Sequence, residues 1–431
     1  MSDSATSGSP SPEEGKRQWG RRGPAALGFI YAAVMMNTIS MGVIAPVFPV
    51  LVKSLSGAGD AHAAQITGVF AVAWSAMQLT FAPIFGNLSD RFGRRPVLLV
   101  SMFGLAFDYL IMALAPNLAW LFVGRVISGI TASSGAAAGA YVADISSPDE
   151  RARNFGRFQA AANAGIVLGP ALGGFVGAWD PRAPFWVAAG LALANGLYGL
   201  FVVPESLSHD RRAPFRWSRA NPIGAGILLT SRAGLLGLAG IIFLMQFAGM
   251  SFNSIFQFYT HYRFGWGPRD IGLLLMVLGG GNLVVASLLA GLAARHLGER
   301  GAVLGGLVLG VAGFATLALA PTAEIFWGGI ALIIVSSITF PSAQSMLSKR
   351  VGVDEQGQLQ GALAILFGVT GLVGPVLFTN VFAWSIGPGK GFGLPGLSIL
   401  VGAGMIVCAF IAAFFYAHPA KEPAFPEELV T

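Results

Sequence analysis

The sequence predicts an all-α membrane protein with twelve transmembrane helices in two six-helix bundles. Three observations carry this expectation. First, only 11% of the 431 residues are charged and 54% are hydrophobic, with a mean hydropathy of +0.68. Soluble domains carry about 25% charged residues, so water is not the main solvent of this chain. Second, apolar runs of about 20 residues, the length that crosses about 30 Å of hydrocarbon, recur along it. They fall at 25–52, 63–85, 97–115, 119–142, 157–179, 183–203, 236–260, 270–293, 301–319, 323–347, 358–385 and 393–417. They are continuous rather than alternating, which excludes a β-barrel. Third, the basic residues sort by connection. Twenty of the 26 lysines and arginines lie in the N-terminal tail, the even-numbered connections and the C-terminal tail. Lys53, Arg182, Arg263, Arg269 and Lys390 fall on the other side. The bias places both termini in the cytoplasm, and the expected location is the cell (inner) membrane. The formal charge of +6 is then topology, and nucleic acid is excluded as a partner.

The expected organisation is a disordered polar tail over 1–23, a helical bundle over 24–203, a cytoplasmic loop over 204–235, a second bundle over 236–417 and a tail over 418–431. The loop is long and arginine-rich, and an internal repeat supports a division there. Gly86, Gly93 and Arg95 align with Gly291, Gly298 and Arg300 at an offset of 205, and the same offset carries Gly169-Pro170 onto Gly374-Pro375. Two motifs on one offset imply duplicated halves in parallel orientation. A single cysteine, Cys408, and five scattered histidines give no disulfide and no metal site. No phosphate-binding Gly-x-x-x-x-Gly-Lys-Ser/Thr loop occurs, which disfavours an ATP-driven pump. A monomer that is not an enzyme and binds no cofactor is expected.

Four sets of residues could carry function. The loop Gly86-Asn87-Leu88-Ser89-Asp90-Arg91-Phe92-Gly93-Arg94-Arg95-Pro96 is a tight charged turn in which glycines allow unusual dihedrals and Asp90 can accept from arginines or a helix N-terminus. It is either a gate or only a set of arginines obeying the charge bias. In the fifth run, Gly165, Gly169, Gly173 and Gly177 form a flat stripe beside Pro170 and Gly174, which suits close helix packing. Asp108 is the only acid deep in a spanning run, about 16 Å from the cytoplasmic boundary. Arg125 in the next run differs from it by about 5 Å in depth. They form either a static pair that fixes packing or a proton site whose acid Arg125 tunes. Finally, Asn37, Gln246, Asn253, Gln257, Asn282, Gln344 and Gln360, with Phe252, Phe256, Phe258 and Tyr259, either line a wet cavity for a large aromatic substrate or make interhelical hydrogen bonds.

The loop from Gly86 to Arg95 resembles the signature loop of the major facilitator superfamily, where the acid latches the two halves on the cytoplasmic side. The glycine and proline pattern of the fifth run resembles the antiporter signature of drug/proton exporters, which is thought to seal the cavity against leak. Arg125-Val126-Ile127-Ser128-Gly129 resembles the family's arginine motif of helix 4, associated with proton transfer. Ser89 to Leu99, Asp108-Tyr109-Leu110, Gly124-Arg125, Arg263-Phe264-Gly265-Trp266, Leu359-Gln360-Gly361 and Gly374 to Thr379 look like the bacterial tetracycline efflux pumps over almost the whole chain. The resemblance implies exchange of a drug, in those pumps a metal-chelated tetracycline, for an inward proton. Three positions depart. Asn37 and Gly310 stand where the pumps carry acids, and Asn282 stands where they carry a histidine. Proton coupling would then rest on Asp108 and Arg125. A facilitator or importer of a small metabolite, independent of protons, is the alternative.

Overall fold

The computed structural model describes residues 12–132, 135–147, 149–208, 210, 212–214, 233–352 and 355–418. The helices of the first half are α1 (Pro12–Ile44), α2 (Phe48–Ser56), α3 (Asp60–Phe92), α4 (Arg94–Leu114), α5 (Leu118–Thr131), α6 (Gly135–Ile145), α7 (Arg151–Gly177) and α8 (Ala183–Val202). The second half has α9 (Ala233–Asn253), α10 (Phe256–Phe264), α11 (Pro268–Val284), α12 (Ala290–Leu319), α13 (Ala323–Ser336), α14 (Thr339–Ser348), α15 (Gln356–Ile386) and α16 (Leu397–Tyr416). A π-helical turn, Val285–Leu289, joins α11 to α12. Ten segments of these helices are long and apolar enough to span a bilayer, and the one over 268–319 is long enough for two crossings. The shorter apolar α5 together with α6 makes a further crossing, so the described residues form twelve, six in each half.

The first helix begins at Pro12, inside the segment expected as a polar tail. Pro12-Glu13-Glu14 is a helix-start pattern that a reading for apolar runs passes over. Residues 1–11, 215–232 and 419–431, which hold most of the tails and of the central loop, lie outside the described residues.

Several crossings are interrupted near their middles. The first breaks between α1 and α2 at Ala45 to Val47, beside Pro46 and Pro49, and the seventh breaks between α9 and α10 at Ser254 and Ile255. The tenth breaks between α13 and α14 at Ser337 and Ile338. Non-helical backbone at membrane depth needs partners from within the protein. The break in the first crossing has one across the halves, where Gln257 Nε2 donates to the Ala45 carbonyl at 2.6 Å.

The repeat read from the sequence reappears as geometry. Gly93 ends α3 at φ 107°, ψ 161°, and Gly298, 205 residues later, breaks α12 at φ 70°, ψ 165°. Arg95 Nη2 donates to Leu200 O at the end of α8 (2.6 Å), and Arg300 Nη2 donates to Phe414 O at the end of α16 (3.0 Å). Arg94 pairs with Asp144 in α6 at 3.2 Å, whereas Glu299 pairs with Lys349 after α14 at 2.8 Å. The second half thus keeps the bridge of the first with its charges exchanged.

Glycines set the helix spacing. A Cβ at Gly165, Gly173 or Gly177 of α7 would collide with Thr38, the Val43 carbonyl or Val47, and one at Gly169 would lie 2.8 Å from the Ile39 carbonyl. The stripe therefore packs the seventh helix against the first crossing of its own half. Gly174 faces the other way, with its Cβ position 2.8 Å from Gly272 Cα of α11, and Gly272 in turn lies against the Pro170 carbonyl. The mirror crossing joins α3 and α15, where Gly68 lies against Thr379 and the Pro375 carbonyl, and Gly368 against Leu79. At the end of the molecule away from the termini, Gln65 Nε2 donates to Asn380 Oδ1 at 2.8 Å and Lys53 Nζ donates to His261 Nε2 at 3.3 Å. The halves are closed together at that far end. Large apolar side chains such as Phe175, Phe201, Leu288 and Phe415 stay exposed, as lipid contact requires.

Two outcomes test this packing. In a Cys408→Ser background, cysteines at Gln65 and Asn380 should cross-link under mild oxidation, and the absence of a cross-link would contradict closure at the far end. Gly93→Ala forces a side chain into a positive φ and onto Glu205, so it should cost about 1–3 kcal/mol, read as a lower melting temperature of the solubilised protein. Gly305→Ala, whose Cβ meets nothing within 4 Å, should not lower it.

Candidate functional site: a chamber between the two halves

A cavity of about 830 Å³ lies between the halves, within the range of small-molecule sites. The interrupted first and seventh crossings supply Ile44, Ala45, Phe48, Asn253, Ser254, Phe256, Gln257 and Phe258. Further lining comes from Trp74, Ser75 and Gln78 of α3, from Arg125 of α5 and from Phe367 and Gly371 of α15. The lining runs from Thr67 to Ala82 on α3 and from Ala364 to Pro375 on α15, so the chamber spans the middle of these crossings. Small and aliphatic residues make up most of the wall, with Phe48, Trp74, Phe256, Phe258 and Phe367 among them and amides and hydroxyls at intervals.

Of the amides expected there, Asn253 and Gln257 line the chamber. Gln257 bridges the halves through its Nε2, while its buried Oε1 has no hydrogen-bond partner. Asn37, Gln246, Asn282, Gln344 and Gln360 are not among the residues that line this cavity. Each lies in a crossing, but it is rotation about the helix axis that selects the face, and polarity alone does not report rotation. Of the four aromatics, Phe256 and Phe258 reach the wall. Phe252 stacks near Phe326, and the Tyr259 hydroxyl donates to Leu317 O at 2.9 Å in the core of the second half. Gln78 is a lining residue that sequence inspection missed. A Cβ added at Gly310 would lie 3.5 Å from Ile406, and Gly310 is not among the lining residues.

Asp108 and Arg125 sit on adjacent helices at similar depth but do not form an ion pair, which corrects the static-pair reading. Asp108 is fully buried, and neither of its oxygens has a hydrogen-bond partner. It lies behind Gly124, whose Cβ position is 3.0 Å from Asp108 Oδ1. Arg125 instead turns toward the chamber. Its guanidinium carbon stands 4.4 Å from the centre of the Phe48 ring, and its Nη2 approaches Met112 Sδ at 3.3 Å. An ionised carboxylate without partners is costly at this depth, so the charge of Asp108 and the placing of Arg125 are coupled.

The charged loop sits at the end with the termini. Arg94 Nη1 pairs with Asp90 at 2.5 Å and donates to Ser89 Oγ at 3.1 Å. The Asp90 carbonyl accepts from Ala213 N at 3.1 Å. Glu205, which the sequence analysis passed over, organises the loop. It follows Pro204 just after α8, and its carboxylate accepts from the backbone N–H of Arg94 (2.8 Å) and of Arg95 (3.3 Å). It thereby caps α4, the favoured place for an anion at a helix N-terminus. Arg91 stacks on Phe92, and Gly86 has open space around it. Asp90 thus bonds within its own half in a conformation whose opposite end is closed.

Comparisons with known proteins agree with this architecture. The model of the Major Facilitator Superfamily matches residues 30–375. The chain is 36% identical over 394 residues, 89% of its length and 95% of the relative's, to the tetracycline resistance protein of class C from Escherichia coli. It is 33% identical to the class B protein of the same organism, covering 82% of this chain and 87% of that one. Among solved structures, a bacterial homologue of the human lysosomal transporter Spinster, inward-facing and unoccupied, superposes with a TM-score of 0.70 at 15% identity, covering 96% of this chain and 100% of that one. The nucleoside transporter NupG does so with 0.72 at 12% identity, covering 91% and 100%. The family model covers most of the chain, and relatives more than 30% identical extend along nearly all of it, so the chain belongs to the major facilitator superfamily.

Proposed function

We infer that this protein exports a small amphipathic, tetracycline-like drug in exchange for protons by alternating access. The observation that carries the inference is a largely apolar chamber between two halves in a chain 36% identical to a tetracycline resistance protein. The lysine and arginine bias assigns the end with the termini to the cytoplasm. On that assignment the conformation described above is inward-facing, with the outer end held shut by the Gln65–Asn380 and Lys53–His261 contacts.

In this reading Asp108 is the proton carrier and Arg125 its electrostatic partner. Protonation of Asp108 from the outside removes its charge, weakens its hold on Arg125 and favours the inward-facing form, in which Arg125 faces the chamber. Burial of the carboxylate without partners supports the assignment, because gain or loss of one charge there must be answered by movement of α4 against α5. Asp90, Arg91, Arg94 and Arg95, with Gly86 and Gly93, act as the cytoplasmic gate, which reforms between the halves when the chamber turns outward. Gly165, Gly169, Pro170, Gly173 and Gly174 keep the first, fifth and eighth crossings in backbone contact and so deny the proton a leak path. Asn253 and Gln257 contact the drug.

Everted membrane vesicles test the proton assignment. Addition of a transported drug should release protons through the wild-type protein, and Asp108→Asn should lower that flux at least about tenfold with membrane expression unchanged. Undiminished flux in the variant would remove Asp108 from the mechanism. For the gate, Glu205→Gln should reduce transport several-fold while leaving the protein in the membrane, because it uncaps α4 beneath Arg94 and Arg95; wild-type transport would contradict a gating role for this loop.

A further inference from the structure

The chamber has an electrostatic character that an apolar lining alone does not convey. Among the described residues that line it, Arg125 carries the one ionised side chain, and the remaining polar groups are amides and hydroxyls such as Gln78, Ser254 and Gln257. No carboxylate reaches the wall. The nearby acid, Asp108, is fully buried behind Gly124 and makes no hydrogen bond with the arginine. The donors of Arg125 are largely unused, since its buried Nε has no partner and its Nη2 meets only the thioether of Met112, a weak acceptor. A guanidinium offers a planar fork of N–H groups matched to two oxygens, and it keeps its charge when desolvated.

We propose that the chamber selects amphipathic aromatic anions, with Arg125 binding the acidic group and Phe48, Trp74, Phe256 and Phe258 holding the ring system. The proposal rests on the reading of this chamber as the substrate site and deepens it to a substrate class. A carboxylate, sulfonate or ionised enol fits the unused donors. A drug carrying a chelated divalent cation brings positive charge to a wall with a guanidinium and no carboxylate, and is rejected. The Phe48 ring beneath the guanidinium keeps its plane fixed without spending a hydrogen-bond donor.

Three ligands with one ring system separate charge from apolar burial: 9-anthracenecarboxylate, 9-anthracenecarboxamide and 9-anthracenemethylammonium. Their binding is measured by equilibrium dialysis against lipid nanodiscs holding the full chain, with empty nanodiscs subtracted. The carboxylate should bind about tenfold more tightly than the carboxamide, the order of one charge-assisted hydrogen bond, and the ammonium more weakly than both. Arg125→Gln should erase the preference for the carboxylate while leaving carboxamide binding in place, which also reports an intact chamber. Arg125→Lys should retain the order. An ammonium that binds as tightly as the carboxylate to the wild type, or a carboxylate preference that survives Arg125→Gln, overturns the proposal. If drug-driven proton flux is present in vesicles alongside either result, the transport reading stands and the anion selectivity falls alone. If none of the three ligands binds and no drug is moved, both fall.

Discussion

Backbone contact at two glycine crossings joins the halves of this transporter, and the rest of its architecture follows from that constraint. Hydrocarbon supplies no hydrophobic force between helices, so association depends on close packing and on polar contacts. Gly174 against Gly272 and Gly68 against Pro375 and Thr379 bring helix axes near enough for backbones to touch. Each crossing sits beside a helix-bending proline, Pro170 in one and Pro375 in the other. A chamber remains between them because the first and seventh crossings break where they face it.

The polar chemistry is placed by the same constraint. Polar residues gather in the chamber wall and in the layers at the two ends, while Asp108 lies buried behind Gly124. In the layer at the end with the termini the repeat is visible as exchanged charge, with Arg94 and Asp144 in one half and Glu299 and Lys349 in the other. Glu205 has no such counterpart, and it ties the end of the first bundle to the start of α4.

Much of this was legible in the sequence, for identifiable reasons. Spanning helices follow from composition and length, since hydrocarbon admits few alternatives. The glycine stripe of α7 was legible because a four-residue spacing has one physical use, and the repeat was legible because Gly93 and Gly298 keep their separation. What failed was rotation. The helical rise gives depth along a crossing, so Asp108 and Arg125 were placed at the right level. Which way each side chain points depends on neighbours far away in the chain, so the choice between cavity lining and interhelical hydrogen bonding is not legible for the amides, two of which line this chamber. Glu205 was missed because a carboxylate after Pro204 has no signal of its own until α4 begins beside it. Asn37, Asn282 and Gly310, the departures from the tetracycline pumps, stand outside the chamber wall, which leaves Arg125 as its dominant charge.

The central claim is proton-driven export through this chamber. Its most direct test is drug accumulation in everted vesicles under an imposed pH gradient, acidic inside, with the membrane potential clamped. Accumulation that rises with the gradient and collapses when it is dissipated is the predicted result. Uptake that reaches only equilibrium and ignores the gradient would contradict the account and identify a facilitator instead.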